Sequence, residues 1–224
     1  MSSPKDKNLH ADHRKRMRVR FRKNGFSEYH SHEVLEQVLF EVIPRSNTNE
    51  TGHLLINKFG SIDNVLNASP KKLEKIEGVG PKSAEYLASL FDRGSEIIKE
   101  QYRTVNNLSV YQVAFLADWF MSSKDRCIGM IICDADKTFV DFAFLDNKNV
   151  RGFSESDWTK YQASLCEEIV STVGSGTYIL VLKSIVFERS FLYRLVDMTK
   201  AEGSIMLNAY EMIKRKPVSL IFNK

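Results

Sequence analysis

The chain has 224 residues, of which 43% are hydrophobic and 27% charged, and its formal net charge is +4. This composition is typical of globular proteins and excludes disordered and collagen-like chains. The longest uncharged apolar runs, such as residues 177–182, are far shorter than the ~20 residues of a membrane-spanning helix, so we expect no membrane partner. Residues 1–20 lack the apolar stretch of a secretory signal, which favours a cytoplasmic protein.

The basic residues are unevenly distributed. Residues 1–27 hold nine Lys and Arg residues against Asp6 and Asp12, whereas the rest of the chain holds 23 basic and 26 acidic residues. Such an asymmetry predicts that one end of the protein faces nucleic acid. The alternative is a basic tail that only increases solubility.

The first half of the chain has the pattern of a helical domain. We expect residues 1–10 to form a disordered tail. Residues 14–23 are ambiguous, because their apolar residues alternate as in a strand, while Met17 and Phe21 also form an i, i+4 helical pair. Asp12 as an N-cap and Asn24-Gly25 as a stop favour a helix. Helical spacing predicts four further helices, marked by Leu35–Val42, Leu54–Phe59, Leu73–Ile76 and Ala84–Phe91.

After residue 103 strands alternate with helices. A β-hairpin is predicted from Cys127–Cys133 and Thr138–Leu145, and Tyr178–Leu182 is apolar enough to be a strand covered on both faces. The helices of this half are marked by Trp158–Val173 and Phe191–Val196, and its last strands by Ile205–Ala209 and Val218–Phe222. The predicted fold class is therefore α+β, with an all-helical domain over residues 11–103 and an α/β domain over residues 104–224.

Residues 73–84 contain the sharpest motif, in which Gly78-Val79-Gly80 joins two short helices. The second helix then begins with main-chain N–H groups that have no partner inside the helix, and the helix dipole favours an anion there. Glycine allows positive φ and close approach of a sugar-phosphate chain. The predicted phosphate contacts of this motif and of the basic segment are Gly78, Val79, Gly80, Lys82, Ser83, Arg14, Lys15, Arg16, Arg18, Arg20, Arg22 and Lys23.

These residues resemble a helix-hairpin-helix motif, a DNA-binding element without sequence specificity. Contacts to phosphates fix the position of a protein on DNA and carry no sequence information. The alternative interpretations are a turn that only packs two helices together and a motif that contacts protein.

The first half as a whole resembles RadC-like proteins. The resemblance rests on Asp12-His13-Arg14 followed by Phe21, and then, in the same order, on Leu35–Pro44, Phe59-Gly60-Ser61, Val65–Ala68 and Ile76–Gly80. It implies that residues 14–23 are helical, and that a helical region with a helix-hairpin-helix precedes an MPN (JAB) domain. It also implies a role in DNA repair or recombination.

The MPN domain of that family binds zinc through a His-x-His pair and a downstream Asp, with a Glu as general base. Here Leu182-Lys183-Ser184 stands at the His-x-His position, and the downstream acid falls near Leu195, with Asp197 two residues away. In the segment 141–146, where the Glu is expected, the only acidic residues are Asp141 and Asp146. All five histidines lie within the first 53 residues. We therefore expect no cofactor, no catalytic residues and a non-enzymatic domain.

Other groups of potential metal ligands are better explained without a metal. His10 with His13, and His30 with His32, are conceivable pairs, but exposed or capping histidines are commoner. Asp134 and Asp136 have the spacing of ordinary turn residues. The three cysteines, Cys127, Cys133 and Cys166, are expected in the core.

Three hypotheses about function follow. The leading one is a DNA-binding protein, located in the cytoplasm or on the nucleoid, whose MPN-like domain contacts a protein partner or forms a homodimer. The second is a metal-dependent hydrolase, either a metallopeptidase or a nuclease, with unrecognised ligands. The third is a protein-interaction scaffold that does not bind DNA.

Overall fold

The structure is a computed structural model that describes residues 4–44, 47–146 and 153–220. The chain divides into two units, residues 1–94 and residues 95–224. The division falls inside a long helix, nine residues before the boundary expected from the sequence. The mixed architecture of helices and one β-sheet confirms the predicted fold class at that level.

The described part of the first unit is built from helices alone. They are α1 (Pro4–Asn24), α2 (Ser31–Leu39), α3 (Thr48–Phe59), α4 (Ile62–Leu66), α5 (Pro70–Leu73) and the first part of α6 (Pro81–Tyr102). Their shared core is formed by Leu35, Leu39, Leu55, Val65, Ala68, Leu73, Val79, Ala84 and Leu87. Most of these residues lie at the helical spacings that the sequence shows, so the apolar face of each helix faces this core.

The ends of these helices follow the expected local chemistry, with some differences. The segment 14–23 is helical as the resemblance implied, and Gly25 ends α1 with φ +58°. Gly60 ends α3 with φ +83°, and its N–H donates to the Ile56 oxygen at 2.8 Å. α1 begins at Pro4, although residues 1–10 were expected to be disordered; residues 1–3 lie outside the described residues. α2 is capped by His30.

A five-stranded sheet organises the second unit, in the order β2-β1-β3-β4-β5. Its strands are β1 (Cys127–Cys133), β2 (Phe139–Leu145), β3 (Thr177–Lys183), β4 (Ile205–Ile213) and β5 (Lys216–Ser219). β3 and β4 are parallel, and every other neighbouring pair is antiparallel. The predicted β1–β2 hairpin is therefore confirmed, and the apolar run 178–182 is the central strand.

Helices cover both faces of this sheet. α8 (Glu155–Val173) and α9 (Arg189–Ala201) pack on one face against Ile128, Met130, Leu180 and Leu182. The end of α6 and α7 (Val110–Met121) pack on the other face against Ile131 and Val181. Because successive side chains of a strand point to opposite faces, the uninterrupted apolar sequence of β3 fills both cores.

The second unit agrees with the sequence-based expectation in its cysteines and differs from it in α7 and β5. All three cysteines are buried and not disulfide-bonded, as expected. α7 was not predicted. β5 begins at Lys216, earlier than expected, and residues 221 and 222 of the predicted strand lie outside the described residues. Among the helices of the described ranges, none is long and apolar enough to cross a membrane.

Candidate nucleic-acid interface

The Gly-Val-Gly turn (Gly78–Gly80) is anchored from within by apolar side chains. Leu73 at the end of α5 is fully buried, Val79 is 5% exposed, and Ala84 in the first turn of α6 is fully buried. The Val79 N–H donates to the Ile76 oxygen at 3.0 Å. These contacts hold the turn in place while leaving Gly78 and Gly80, on either side of Val79, exposed.

The two glycines of the turn have different roles. Gly78 has φ +83°, and a Cβ added there would overlap the hydroxyl oxygen of the buried Thr51. Gly78 is therefore required by the fold itself. Gly80 does not have a positive φ, contrary to our expectation for both glycines. No atom lies within 4 Å of the position where its Cβ would be, so the main chain at Gly80 is open to a ligand.

The N-terminus of α6 follows directly. Its hydrogen-bond ladder begins with the Ala84 N–H, which donates to the Gly80 oxygen at 2.9 Å, so the N–H groups of Lys82 and Ser83 precede the ladder. Lys82 is exposed, whereas Ser83 is only 5% exposed. The Ser83 hydroxyl, which we expected to be a donor for phosphate, is thus turned into the fold.

Further cations surround the turn. Lys71, Lys72 and Lys75 are exposed. A depression of about 360 Å³ beside the turn is lined by Lys58 and Lys75, together with Leu54, Asn57, Ile76 and Glu77. The sequence did not indicate Lys58, because it lies on α3, far along the chain from the turn. Lys58, Lys75 and Lys82 therefore lie next to the Gly-Val-Gly turn, and Lys71 and Lys72 are exposed on α5, which precedes it in the chain.

On α1, Arg14 is used to hold the helix against α2. Its guanidinium donates to the Ile43 oxygen at 2.6 Å and to the Phe40 oxygen at 3.4 Å, and it lies 4.6 Å from the centre of the Phe40 ring. Burial, with a contribution from the charge of Arg18, lowers the pKa of this guanidinium. Arg14 was predicted to contact phosphate, but the structure places it at the C-terminal end of α2 as a packing and capping residue.

Arg20 is also engaged within the fold. Its Nη2 atom lies 2.6 Å from Glu33 Oε1, and its guanidinium lies 4.0 Å from the centre of the Tyr29 ring. The hydrogen bonds to Glu33 and Tyr29 raise the pKa of Arg20. Arg18 is 3.7 Å from Glu41, but both side chains are about half exposed and such pairs are weak. Of the predicted phosphate contacts on α1, Arg14 and Arg20 are thus the two occupied by the fold.

The other basic residues of α1 lie on its outward face. Met17 marks the inward face, since it is 4% exposed. At 100° per residue, Lys15, Arg16, Arg22 and Lys23 point more than a quarter turn away from Met17, and all four are exposed. This part of α1 therefore presents a row of cations to solvent.

The histidines of this unit whose side chains are described contact other side chains. His13 Nε2 lies 2.9 Å from Glu36 Oε1, which joins α1 to α2. The His32 ring stacks on the His53 ring with 3.7 Å between centres, and His30 lies 5.8 Å from His32. Ring nitrogens of stacked imidazoles do not converge on one point, which disfavours a metal here. His10 lies in the part of α1 whose side chains are not described.

The positions of the expected zinc ligands do not fit a metal ion. Leu182 and Leu195 are fully buried in the core. Lys183 stands between the two expected histidine positions, and its ammonium group donates to the Met121 oxygen at 2.7 Å. Asp141 pairs with Lys99 at 2.7 Å. In the ranges that the structure describes, no three His, Cys, Asp or Glu side chains are grouped to hold a metal.

The Asp134–Lys137 turn has the chemistry predicted for it. Asp134 Oδ1 accepts a hydrogen bond from the Thr138 N–H at 2.8 Å, and Lys137 has φ +62°. The aspartate thus closes the β1–β2 turn.

Comparison with known proteins gives partial matches. UPF0758 protein FN0909 of Fusobacterium nucleatum is 40% identical over 91 residues, which are 41% of this chain and 39% of that protein. UPF0758 protein SPO0054 of Ruegeria pomeroyi is 42% identical over 139 residues, which are 62% of this chain and 58% of that protein. No family model and no solved structure matches the chain. The chain thus spans less than two thirds of either relative, and over that part it is similar to UPF0758 proteins.

Proposed function

We propose that this chain is a RadC-like protein that binds the backbone of nucleic acid without sequence specificity. The similarity to UPF0758 proteins and the resemblance of the first half to RadC-like proteins support this assignment. In the proposal, the Gly-Val-Gly turn and α6 form a helix-hairpin-helix element, and the outward face of α1 adds further contacts to phosphates.

The open main chain at Gly80 is the observation that carries the proposal. Nothing lies within 4 Å of its missing Cβ, so a phosphate oxygen can reach the N-terminal turn of α6 without displacing a side chain. Lys82 is exposed next to this point and supplies positive charge. Val79, buried immediately before Gly80, anchors the turn in the core.

The second unit has a different proposed role. Its sheet order, with helices on both faces, is compatible with an MPN-like domain, and the residues at the expected ligand positions do not fit zinc. We therefore assign it to protein contacts or homodimerisation, and propose a location on the nucleoid for the whole protein.

The sharpest test introduces a negative charge at Gly80. The Gly80→Asp variant places a carboxylate where the phosphate is proposed to lie, and the open space there leaves the fold undisturbed. Affinity for a labelled duplex DNA, measured by fluorescence anisotropy at 50 mM and 200 mM salt, should fall about tenfold or more in this variant at low salt. Single-stranded and branched DNA in the same titration identify the preferred structure.

Gly80→Asn is the matched control, because it has nearly the same size as Asp without the charge. Its affinity should lie between those of the wild type and Gly80→Asp, since it retains the steric block and lacks the repulsion. If Gly80→Asp binds all three DNAs as the wild type does at low salt, the proposed function is wrong.

A further inference from the structure

A second basic concavity lies in the other unit, at the carboxyl end of β3. It has a volume of about 290 Å³, and its polar lining comes from Asp118, Ser122, Lys183, Ser184, Lys214 and Arg215. None of these residues belongs to the Gly-Val-Gly turn or to α1. The proposed function therefore leaves this site unexplained.

The concavity lies at the carboxyl ends of β3 and β4, the parallel pair of an otherwise antiparallel sheet. β3 and β4 run parallel, with Leu182 beside Glu211 in the register, so their carboxyl ends open at the same edge. Ligands of open α/β sheets bind beyond the carboxyl ends of parallel strands. Lys183 is the last residue of β3 and Ser184 follows it, and Lys214 and Arg215 follow β4.

The charge of the concavity selects an anion. Three cations, Lys183, Lys214 and Arg215, line it against the single carboxylate of Asp118. The Lys183 ammonium donates to the main-chain oxygens of Met121 and Ser122, at 2.7 and 3.3 Å. These hydrogen bonds fix its position at the end of α7. Because an ammonium group has three N–H bonds, one remains for a ligand oxygen.

Arg215 retains most of its donors as well. Its Nε atom lies 3.3 Å from Asp118 Oδ1, but the two side chains are 75% and 42% exposed. Ion pairs this exposed are weak and are easily rearranged. The guanidinium has four further N–H bonds on its two Nη atoms, in the planar arrangement that matches the oxygens of a phosphate.

The backbone of the hairpin between β4 and β5 gives an independent reason. Its two turn residues, Lys214 and Arg215, have φ +49° and +65°. Two-residue hairpins with positive φ at both positions strongly prefer Asn-Gly, because other side chains are strained there. The Lys-Arg pair therefore makes this turn less stable than Asn-Gly would, and it places two long cations at the rim of the concavity. Backbone strain of this kind is often found at functional sites.

We propose that this concavity binds a phosphate group. The volume is sufficient for a phosphate group and the sugar next to it. The phosphate belongs either to a small nucleotide or to the backbone of a nucleic acid. The Ser184 hydroxyl complements the three cations as an additional donor, whereas the Ser122 hydroxyl donates to the Trp119 oxygen at 3.1 Å. Because every residue of the site lies in the second unit, this proposal holds independently of DNA binding by the first unit.

The experiment uses the full chain with Lys214→Asn and Arg215→Gly combined. This variant removes two of the three cations and installs the preferred turn sequence, so its melting temperature should equal or exceed that of the wild type. Binding of inorganic phosphate and of adenosine 5′-monophosphate is measured by titration calorimetry in a phosphate-free buffer. Both affinities should fall about tenfold or more in the variant, since charge-assisted hydrogen bonds are lost.

Two single variants separate the site from general charge. Lys183→Met removes the third cation of the concavity and should reduce phosphate binding. Lys216→Gln removes an exposed cation from the same hairpin that does not line the concavity, and it should bind phosphate as the wild type does. The proposal is wrong if the Lys214→Asn/Arg215→Gly variant binds both probes with wild-type affinity. It is also wrong if Lys216→Gln loses as much phosphate affinity as that double variant.

Duplex DNA, measured by anisotropy with the same variants, identifies the source of the phosphate. A several-fold loss of DNA affinity in the Lys214→Asn/Arg215→Gly variant supports a nucleic-acid ligand at this site. Unchanged DNA affinity with lost binding of adenosine 5′-monophosphate supports a small nucleotide. Failure of the wild type to bind any DNA, with phosphate binding intact, would contradict the proposed function and leave this site standing.

Discussion

Arg20 and Glu33 join α1 to α2 through an ion pair of 2.6 Å between Nη2 and Oε1. Glu33 also accepts the His30 N–H at 2.9 Å, so one carboxylate caps α2 and anchors α1. The Tyr29 ring, 4.0 Å from the Arg20 guanidinium, covers the pair. The sequence of α1 predicts a single DNA-binding surface. In the structure, α1 has an inner face that packs on the fold and an outer face that carries cations.

Replacing Arg20 should therefore affect stability more than it affects intrinsic DNA binding. Arg20→Ala removes a charge-assisted hydrogen bond and leaves the carboxylate of Glu33 with one donor fewer, which should cost about 1–2 kcal/mol of unfolding free energy. Denaturation in urea, followed by circular dichroism, measures this loss.

Arg22→Ala is the matched control on the outer face of α1. It should change the free energy of unfolding by less than about 0.5 kcal/mol. Under the proposed function it should reduce the slope of log affinity against log salt for duplex DNA by about 0.9, as expected for one lost phosphate contact. Equal stability losses in the two variants would contradict the division of α1 into two faces.

The glycines of the Gly-Val-Gly turn should respond differently to alanine. Gly78→Ala combines a positive φ with an overlap against Thr51 Oγ1, and should cost about 1–3 kcal/mol of unfolding free energy. Gly80→Ala meets open space and should change that free energy by less than about 0.5 kcal/mol. Urea denaturation of the two variants tests this contrast. A large loss in Gly80→Ala would show that the turn is packed more tightly than described.

Much of the fold could be predicted from the sequence, because its strongest patterns are local. Helices with one apolar stripe and a glycine stop, such as α3 before Gly60 and α8 before Gly174, are determined by spacing and by backbone freedom. β3 could be predicted for the same reason, since an uninterrupted apolar run of its length suits a central strand. α7 was missed although Ser109 and Gln112 form a capping box at its start, because it is apolar on most of its surface and shows no stripe.

The candidate site was harder to predict because it depends on which partners the fold brings together. Nothing in the sequence separates Arg14 and Arg20 from Arg16 and Arg22, since all lie in one basic run. The separation arises from the carbonyls at the end of α2 and from the Glu33 carboxylate, which are distant along the chain. The burial of Ser83 was hard to foresee for a similar reason, because it depends on the packing of α6.

The buried cysteines should be chemically inert in the native protein. Burial raises the pKa of all three thiols, and it raises that of Cys133 to about 11, with Asp134 contributing. The thiolate is the reactive form, so iodoacetamide at pH 8 should leave the folded protein unmodified and label three cysteines in guanidinium chloride. Mass spectrometry counts the labels. Rapid native labelling would contradict the burial of these thiols.

The stack of His32 on His53 should make the first unit sensitive to mild acid. Burial lowers the pKa of His32 below its ordinary 6.5, and the neighbouring His53 and His30 lower it further, while Glu33 and Glu36 oppose them. As the pH falls, the unfolded chain therefore takes up this proton before the folded chain does. The contribution of neutral His32 to stability is complete above about pH 6.5, and it is lost as the pH falls through the lowered pKa of His32 in the folded protein. Melting temperatures between pH 8 and pH 5 measure this decline.

Two variants assign that decline to His32. His32→Phe keeps an aromatic ring in the stack without a titrating group, so the decline between pH 7 and pH 5 should become shallower. Glu33→Gln should not make it shallower, because the Glu33 charge favours protonated His32. Although burial alone would raise the pKa of Glu33, hydrogen bonds from the His30 N–H and Arg20 bring it below its ordinary 4.5. The contribution of Glu33 to stability is thus lost only below about pH 4.5. If the melting temperature of His32→Phe declines as steeply as that of the wild type between pH 7 and pH 5, other groups cause the acid sensitivity.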